Sequence, residues 1–178
     1  SNSSSNPSLP SEVTKTATSR EFSAKWKELA AWVDAELKNS LSVLDHRTPR
    51  RLHEAIAYSL LSPGKRLRPV LCLLACEAVG GKPAQAIHNA CALEMIHAYS
   101  LIHDDLPAMD DDDLRRGNPT CHKRFDQATA ILAGDALQPL AFQTILASNL
   151  PSQSQAESCR ILADACGPNG MEIGRAHV

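Results

Sequence analysis

Six aspartates lie within ten consecutive residues in the middle of the chain. Two of them, Asp104 and Asp105, are adjacent, and four more occupy positions 110–113. Carboxylates at this density repel one another unless cations bind, and the first pair falls at the carboxyl end of a predicted helix, where the helix dipole disfavours negative charge. Carboxylate oxygens favour Mg²⁺, which keeps water and phosphate oxygens as its other ligands. Residues 104–113, the acidic loop, therefore predict a site for Mg²⁺ and a phosphate-bearing substrate.

Two other interpretations of the acidic loop remain open. A run of aspartates can form a solvated acidic surface that holds no ion. A calcium loop is the second, although the ligand alternation, the central glycine and the closing glutamate of an EF-hand are absent from the sequence.

Basic residues stand on both sides of the acidic loop. Arg115 and Arg116 follow it directly, and residues 64–69, with the sequence Gly-Lys-Arg-Leu-Arg-Pro, precede it. The glycine permits a tight turn and the proline begins a predicted helix, so this segment, the basic loop, places its charges near a positive helix end. His97 lies two helical turns before Asp104 on the same predicted face. Alone, these features indicate a basic surface patch and a structural histidine; together, they predict a cleft that binds anionic phosphate.

The elements that must position these groups are predicted to be helices throughout. Apolar residues recur at helical spacing and no segment alternates as a strand does, so the predicted fold class is all-α. The segment 83–103 is apolar nearly all round and should be the central helix. Residues 1–19 are rich in Ser, Asn, Thr and Pro, and we expect them to form a disordered tail. The predicted helices cover residues 22–37, 49–62, 69–79, 83–103, 127–146 and 153–165.

The composition argues against several broad classes of protein. A chain of 178 residues that is 43% hydrophobic can bury one sizeable core, which predicts one domain. The formal net charge of −2 gives no general attraction to nucleic acid or to anionic membranes. No apolar run approaches the roughly 18 residues of a membrane-spanning helix. The six cysteines form no CxxC pair and read as reduced core residues. We therefore expect a cytoplasmic protein with no nucleic-acid partner and no membrane insertion.

The last residues do not continue the helical pattern. Periodicity is lost from Gly167 onward, and the ending Glu-Ile-Gly-Arg-Ala-His-Val of residues 172–178 fits no predicted element. One codon choice for that ending, gagatcggaagagcacacgtc, matches the start of a common sequencing adapter. We therefore expect residues 167–178 to be a non-native tail, and different codons in the source nucleotide sequence would refute this expectation.

Three motifs together resemble trans-isoprenyl diphosphate synthases, most closely the bacterial farnesyl diphosphate synthases. They are the basic loop, the segment His-Ala-Tyr-Ser-Leu-Ile-His-Asp-Asp of residues 97–105, and Leu-Arg-Arg-Gly of residues 114–117. The resemblance implies an isoprenoid-synthase-type helical bundle around a central cavity, with residues 20–166 as the amino-terminal part of the synthase domain. The bundle is expected to be incomplete in this chain, because nothing after Asp135 resembles the second aspartate-rich motif of the family.

The resemblance also implies the residues of an allylic substrate site. Asp104, Asp105 and Asp110 would be ligands of the Mg²⁺ ions that hold the allylic diphosphate. Arg115 would contact the same diphosphate.

A second site and a limit on product length are implied in the same way. The residues that would bind the diphosphate of isopentenyl diphosphate are Lys65, Arg68, His97 and Arg116. Tyr99, with Ser100 beside it, matches the family position that limits product length. The two residues inserted before Asp110 fit the bacterial farnesyl type, and hence a product of fifteen carbons.

The implied activity is that of an Mg²⁺-dependent prenyltransferase. It would condense isopentenyl diphosphate with dimethylallyl or geranyl diphosphate to give farnesyl diphosphate and pyrophosphate, and the full-length protein would be a homodimer. A geranylgeranyl diphosphate synthase and a non-catalytic regulatory subunit of a prenyl synthase remain alternatives. A helical phosphohydrolase that uses His103 and Asp104 as metal ligands is another. We expect chain 1–178 by itself to fold poorly and to be inactive.

Overall fold

The structure is a computed structural model that describes the backbone of residues 12–175 and the side chains of residues 18–175. Helices dominate this part of the chain, and the predicted all-α class is confirmed. The helices are α1 (Glu12–Ser40), α2 (Arg50–Leu60), α3 (Leu67–Ala78), α4 (Pro83–Asp104), α5 (Cys121–Arg124), α6 (Gln127–Leu146), α7 (Ser152–Cys166) and α8 (Met171–Arg175). A 3₁₀ turn (Leu41–Val43) follows α1, and the strands β1 (Leu114–Arg115) and β2 (Asn118–Pro119) form an antiparallel hairpin. None of the described helices is both long and apolar enough to cross a membrane.

The central helix is α4, as its apolar sequence predicts. It packs against α1, α2, α3, α6 and α7. Met95 of α4 is fully buried, and so are Leu37 of α1, Ile56 of α2 and Leu137 of α6. Removal of these apolar side chains from water is the main force that holds the helices around α4. The end of α4 that carries the acidic loop is therefore anchored in the core.

Small residues let α6 lie close alongside α4. Ala130 and Ala133 of α6 are fully buried. The ring of His103 fills the space over Gly134, where a Cβ atom would lie 2.2 Å from Nε2 of His103. The same Nε2 lies 3.1 Å from the carbonyl oxygen of Ile131. His103 therefore joins the last turn of α4 to α6.

Besides the short helix α5, which no predicted helix covers, three segments differ from the sequence prediction. Residues 12–19 are helical and extend α1 toward the amino terminus, because no proline or glycine interrupts the chain between residues 12 and 40. Residues 1–11 of the predicted tail lie outside the described residues. The β1–β2 hairpin is a second difference, since strands of two residues are too short to show alternation. The third is α8, which forms within the predicted non-native tail; residues 176–178 lie outside the described part.

Candidate active site

One face of α4 lines a cavity of about 440 Å³ that α2 and the β1–β2 hairpin also border. His97 and Asp105 lie on this face, and Arg115 and Arg116 of the hairpin line the same cavity. Four of the predicted site residues are thus brought together around one space. Asp104, which the sequence places on the same face as His97, is not among the lining residues.

A bidentate ion pair forms part of the cavity wall. Asp105 is only 3% exposed, and its carboxylate accepts hydrogen bonds from Arg115. Nη2 of Arg115 lies 2.5 Å from Oδ1 of Asp105, while Nε lies 3.0 Å from Oδ1 and 3.1 Å from Oδ2. These hydrogen bonds raise the pKa of Arg115 despite its partial burial. A fork of this geometry also suits the oxygens of a diphosphate, so Arg115 can bind either partner.

The neighbouring carboxylate of Asp104 faces α8. Nε of Arg175 donates to Oδ1 of Asp104 at 2.8 Å, and Glu172 accepts from the hydroxyl of Tyr99 at 2.8 Å. The guanidinium of Arg175 also lies over the Tyr99 ring, 5.9 Å from its centre. Burial, followed by the hydrogen bond to Glu172, raises the pKa of Tyr99. Asp104 and Asp105 thus each hold a guanidinium cation.

The three predicted metal ligands are not gathered into one coordination group. Asp104 and Asp105 bind different arginines, and the side chain of Asp110 is exposed. Asp104 and Asp105 each bind a cationic arginine, and carboxylate oxygens are also the ligands that Mg²⁺ prefers. Their chemistry therefore fits the predicted Mg²⁺. Tyr99 and Ser100, the predicted length-determining pair, are buried and do not line the cavity.

Among the described residues, a different trio brings its potential metal-ligand atoms close together. One ligand atom from each of Asp111, Asp113 and His122 lies within 4.8 Å of the others. Asp113 is at the same time paired with Lys123, whose Nζ lies 2.7 Å from Oδ1. Sequence reasoning missed His122, because it stands outside the aspartate run and its approach depends on the turn before α5.

The hairpin places Arg116 against the basic loop. Arg116 and Gly117 form the two-residue turn between β1 and β2 with positive φ angles of 53° and 81°, the backbone signs of a type I′ hairpin. Nη1 of Arg116 donates to the carbonyl oxygen of Pro63 at 2.6 Å. A Cβ atom on Gly64 would lie 2.6 Å from the same nitrogen, so glycine leaves the space that Arg116 occupies.

His97 lies half-buried among positive charges. Burial lowers its pKa, and Arg68, Arg116 and Arg115 lower it further, while Glu94 acts in the opposite direction. The imidazole therefore stands within electrostatic range of three arginines that sequence reasoning assigned to diphosphate binding. Clustered like charges of this kind are relieved by an anionic ligand.

Two of the predicted basic residues, Lys65 and Arg68, are exposed and do not line the cavity. Arg66, between them, was given no role by the sequence reasoning and is buried in an ion pair with Glu94. The sequence contains one signal of this buried pair. Glu94 is the only charged residue between His88 and His97 in an otherwise apolar helix.

Comparison with known proteins matches residues 49–174 to the family model described as polyprenyl synthetase. The chain belongs to the polyprenyl synthetase family. The matched residues include both loops, the hairpin and the whole cavity. The predicted resemblance is therefore confirmed.

Curated members of the polyprenyl synthetase family are similar over most of the chain. It is 55% identical over 130 residues to the farnesyl diphosphate synthase of Micrococcus luteus, a match that covers 73% of this chain and 45% of that protein. It is 53% identical over 135 residues to geranylgeranyl pyrophosphate synthase 7, chloroplastic, of Arabidopsis thaliana, covering 75% and 39% respectively. The chain thus spans less than half the length of these relatives.

Solved structures of polyprenyl synthetases share the fold. The geranyltransferase of Legionella pneumophila superposes with a TM-score of 0.85 at 38% identity, covering 89% of this chain and 56% of that one. An FPP/GFPP synthase of Zymomonas mobilis gives a TM-score of 0.82 at 41% identity, covering 88% and 56%. The isoprenoid-synthase-type bundle, incomplete in this chain, is confirmed as its fold.

Proposed function

We propose that the whole protein to which this chain belongs is a prenyltransferase that joins isopentenyl diphosphate to an allylic diphosphate. The observation that carries the proposal is the cavity that Asp105, Arg115, Arg116 and His97 line together. A carboxylate suited to a divalent cation stands there beside groups suited to anionic phosphate. Family membership supports the same reaction class.

The allylic site is proposed around the acidic loop. Asp104, Asp105 and Asp110 would hold Mg²⁺, and Arg115 would move from Asp105 to the diphosphate when the metal binds. Mg²⁺, when bound, neutralises the charge that develops on the departing diphosphate. Arg115 adds a directed hydrogen-bond donor to that charge.

The isopentenyl site is proposed around the basic loop. The residues that would bind its diphosphate are Lys65, Arg68, His97 and Arg116. In the reaction the allylic carbon–oxygen bond breaks, the isopentenyl double bond attacks the allylic carbon, and a proton is lost to restore a double bond. Holding the two substrates in register supplies much of the rate.

The proposed product is farnesyl diphosphate, with fifteen carbons. Tyr99 fills the space beside α8 with a buried ring. A bulky residue there, with Ser100 beside it, would limit chain growth. Geranylgeranyl diphosphate synthase remains the second candidate, since relatives with both names are similar to this chain.

The oligomeric state and the cellular location of the whole protein are also part of the proposal. We propose a homodimer; the regulatory-subunit alternative remains, and a relative named a heterodimeric geranylgeranyl pyrophosphate synthase large subunit is 50% identical over 149 residues. The six cysteines are all free thiols, which supports a reducing, cytoplasmic location.

The phosphohydrolase alternative is disfavoured by His103. Its Nε2 lies 3.1 Å from the carbonyl oxygen of Ile131 and 3.8 Å from Oδ1 of Asp135. The ring therefore faces α6, whereas Asp104 faces α8. A shared metal would require one of these side chains to turn round.

The experiment is product analysis of the complete native reading frame that contains this chain. It is incubated with labelled isopentenyl diphosphate and dimethylallyl or geranyl diphosphate, and the products are separated by chain length. Fifteen-carbon label supports the farnesyl product, and twenty-carbon label supports the geranylgeranyl alternative. Absence of condensation contradicts the catalytic proposal and favours a regulatory subunit.

A further inference from the structure

The side chain of Arg66 is buried where three segments meet. It is 5% exposed. Its Nε donates to Oδ1 of Asp34 on α1 at 2.6 Å, its Nη1 to Oε1 of Glu94 on α4 at 2.7 Å, and its Nη2 to the carbonyl oxygen of Ser62 at 2.9 Å. A buried charge is stable when it is paired and hydrogen-bonded in this way. All three guanidinium nitrogens donate to acceptors of the protein itself, at the wall of the cavity that His97 and Arg116 also line.

The backbone of Arg66 adopts an uncommon conformation. A φ of 49° places it in the left-handed region at the amino-terminal cap of α3. A bulky residue rarely adopts this conformation unless the surrounding structure fixes it. The turn at Arg66 sets the directions in which the chain presents Lys65 before it and Arg68 after it.

The carbonyl groups just before this turn are also held by side chains from elsewhere. Nε1 of Trp26 on α1 donates to the carbonyl oxygen of Lys65 at 3.1 Å. Arg116 of the hairpin donates to that of Pro63 at 2.6 Å. The basic loop is thus attached to α1 and to the hairpin, and through the buried ion pair of Arg66 with Glu94 it is also attached to α4.

We propose that Arg66 is a positioning residue for diphosphate binding. Its ion pair with Glu94 joins the basic loop to α4 one helical turn before His97. This bond fixes the backbone of Lys65 and Arg68 relative to the imidazole of His97. The inference rests on the proposed isopentenyl site and adds the residue that assembles it.

The test replaces both members of the buried pair, because removal of one alone leaves an unpaired charge in the core. Arg66→Met combined with Glu94→Leu removes the link without changing the net charge. We expect the dissociation constant of isopentenyl diphosphate, measured by titration calorimetry on the complete native protein, to rise about tenfold. Circular dichroism is used first to find a temperature at which wild type and the double variant are both folded. Arg66→Lys should give an intermediate affinity, since an ammonium group reproduces only part of the fork.

The matched control removes a similar pair from α7. Arg160→Met combined with Glu157→Leu breaks an exposed ion pair of 2.7 Å and should leave the affinity unchanged. A folded Arg66/Glu94 variant that binds within about twofold of wild type would overturn the inference while leaving the proposed function intact. If that variant does not fold, wild-type affinity in Arg66→Lys overturns it instead. Complete wild-type protein that binds no isopentenyl diphosphate contradicts the proposed site and the inference with it.

Discussion

The guanidinium of Arg116 lies directly on the backbone of Gly64, so that a Cβ atom at Gly64 would stand 2.6 Å from Nη1 of Arg116. The contact joins the hairpin after the acidic loop to the basic loop. Substitution Gly64→Ala should displace Arg116 and break its hydrogen bond to the carbonyl of Pro63. We expect the dissociation constant of isopentenyl diphosphate, measured by titration calorimetry, to rise roughly three- to tenfold.

A double-mutant cycle shows whether this effect passes through Arg116. In an Arg116→Ala background, Gly64→Ala should have little further effect on affinity, because the displaced group is already absent. Equal losses in both backgrounds would mean that Gly64 acts through the loop backbone instead.

The contact between His103 and Gly134 predicts a loss of stability. In Gly134→Ala the new methyl group would meet the His103 ring, whose three nearest atoms lie 2.2, 2.5 and 2.9 Å from the Cβ position. We expect the free energy of unfolding to fall by about 1–3 kcal/mol, measured by urea denaturation, because the ring must shift in a packed interface. In a His103→Ala background the same substitution should become neutral or stabilising, since alanine is the better helix former. Destabilisation that persists there would contradict the proposed clash.

The lowered pKa of His97 predicts how stability depends on pH. Burial and the charges of Arg68, Arg116 and Arg115 outweigh the attraction of Glu94. Unfolded His97 has an ordinary pKa and so takes up a proton more readily than the folded form, which means that acidification through that range favours unfolding. Wild type should therefore lose more stability than His97→Gln between about pH 7.5 and pH 5.5 in thermal melts. Parallel pH profiles of the two proteins would contradict this assignment.

A bound diphosphate should raise the lowered pKa of His97. Its negative charge favours the protonated imidazole, so binding at neutral pH should take up a proton. Calorimetry of isopentenyl diphosphate binding in two buffers of different ionisation enthalpy measures this uptake. His97→Gln is the control and should show less uptake.

The ion pair between Arg175 and Asp104 predicts competition with metal binding. The two side chains are 16% and 25% exposed, and the pair spans 2.8 Å. Arg175→Ala should free the carboxylate and strengthen Mn²⁺ binding by roughly three- to tenfold, as electron paramagnetic resonance titration can measure. Arg160→Ala, on the exposed face of α7, is the control. Unchanged Mn²⁺ affinity in Arg175→Ala would show that Asp104 is not part of the cation site. The codons of residues 172–178 decide separately whether Arg175 belongs to the native protein.

The helical framework could be predicted because helices are encoded locally. The apolar pattern gave α4 and α6 nearly to the residue, since each is bounded by a proline, a cap or a break in periodicity. Residues 12–19 were misassigned because their polar composition resembles a tail, although nothing in them interrupts a helix. The β1–β2 hairpin escaped notice because four residues in two strands carry no pattern.

The site was predictable as a set of residues and not as a set of contacts. Spacing along α4 indicated that His97 and the paired aspartates belong together. It did not indicate that Asp105 faces Arg115 while Asp104 faces Arg175, because those pairings depend on turns in other segments. Arg66 was overlooked for the same reason: its burial is created by Asp34 and Glu94, which are distant in sequence.

Condensation of labelled isopentenyl diphosphate by the complete native protein tests the central claim most directly, with wild type compared to Asp105→Asn and to the remote control Asp164→Asn. We expect wild type and Asp164→Asn to make a prenyl diphosphate in an Mg²⁺-dependent reaction. The rate in Asp105→Asn should be at least about 10²-fold lower, because a buried carboxylate of the acidic loop is lost. Equal rates in all three proteins would contradict the assignment of the acidic loop, and no product from wild type would contradict the proposed function.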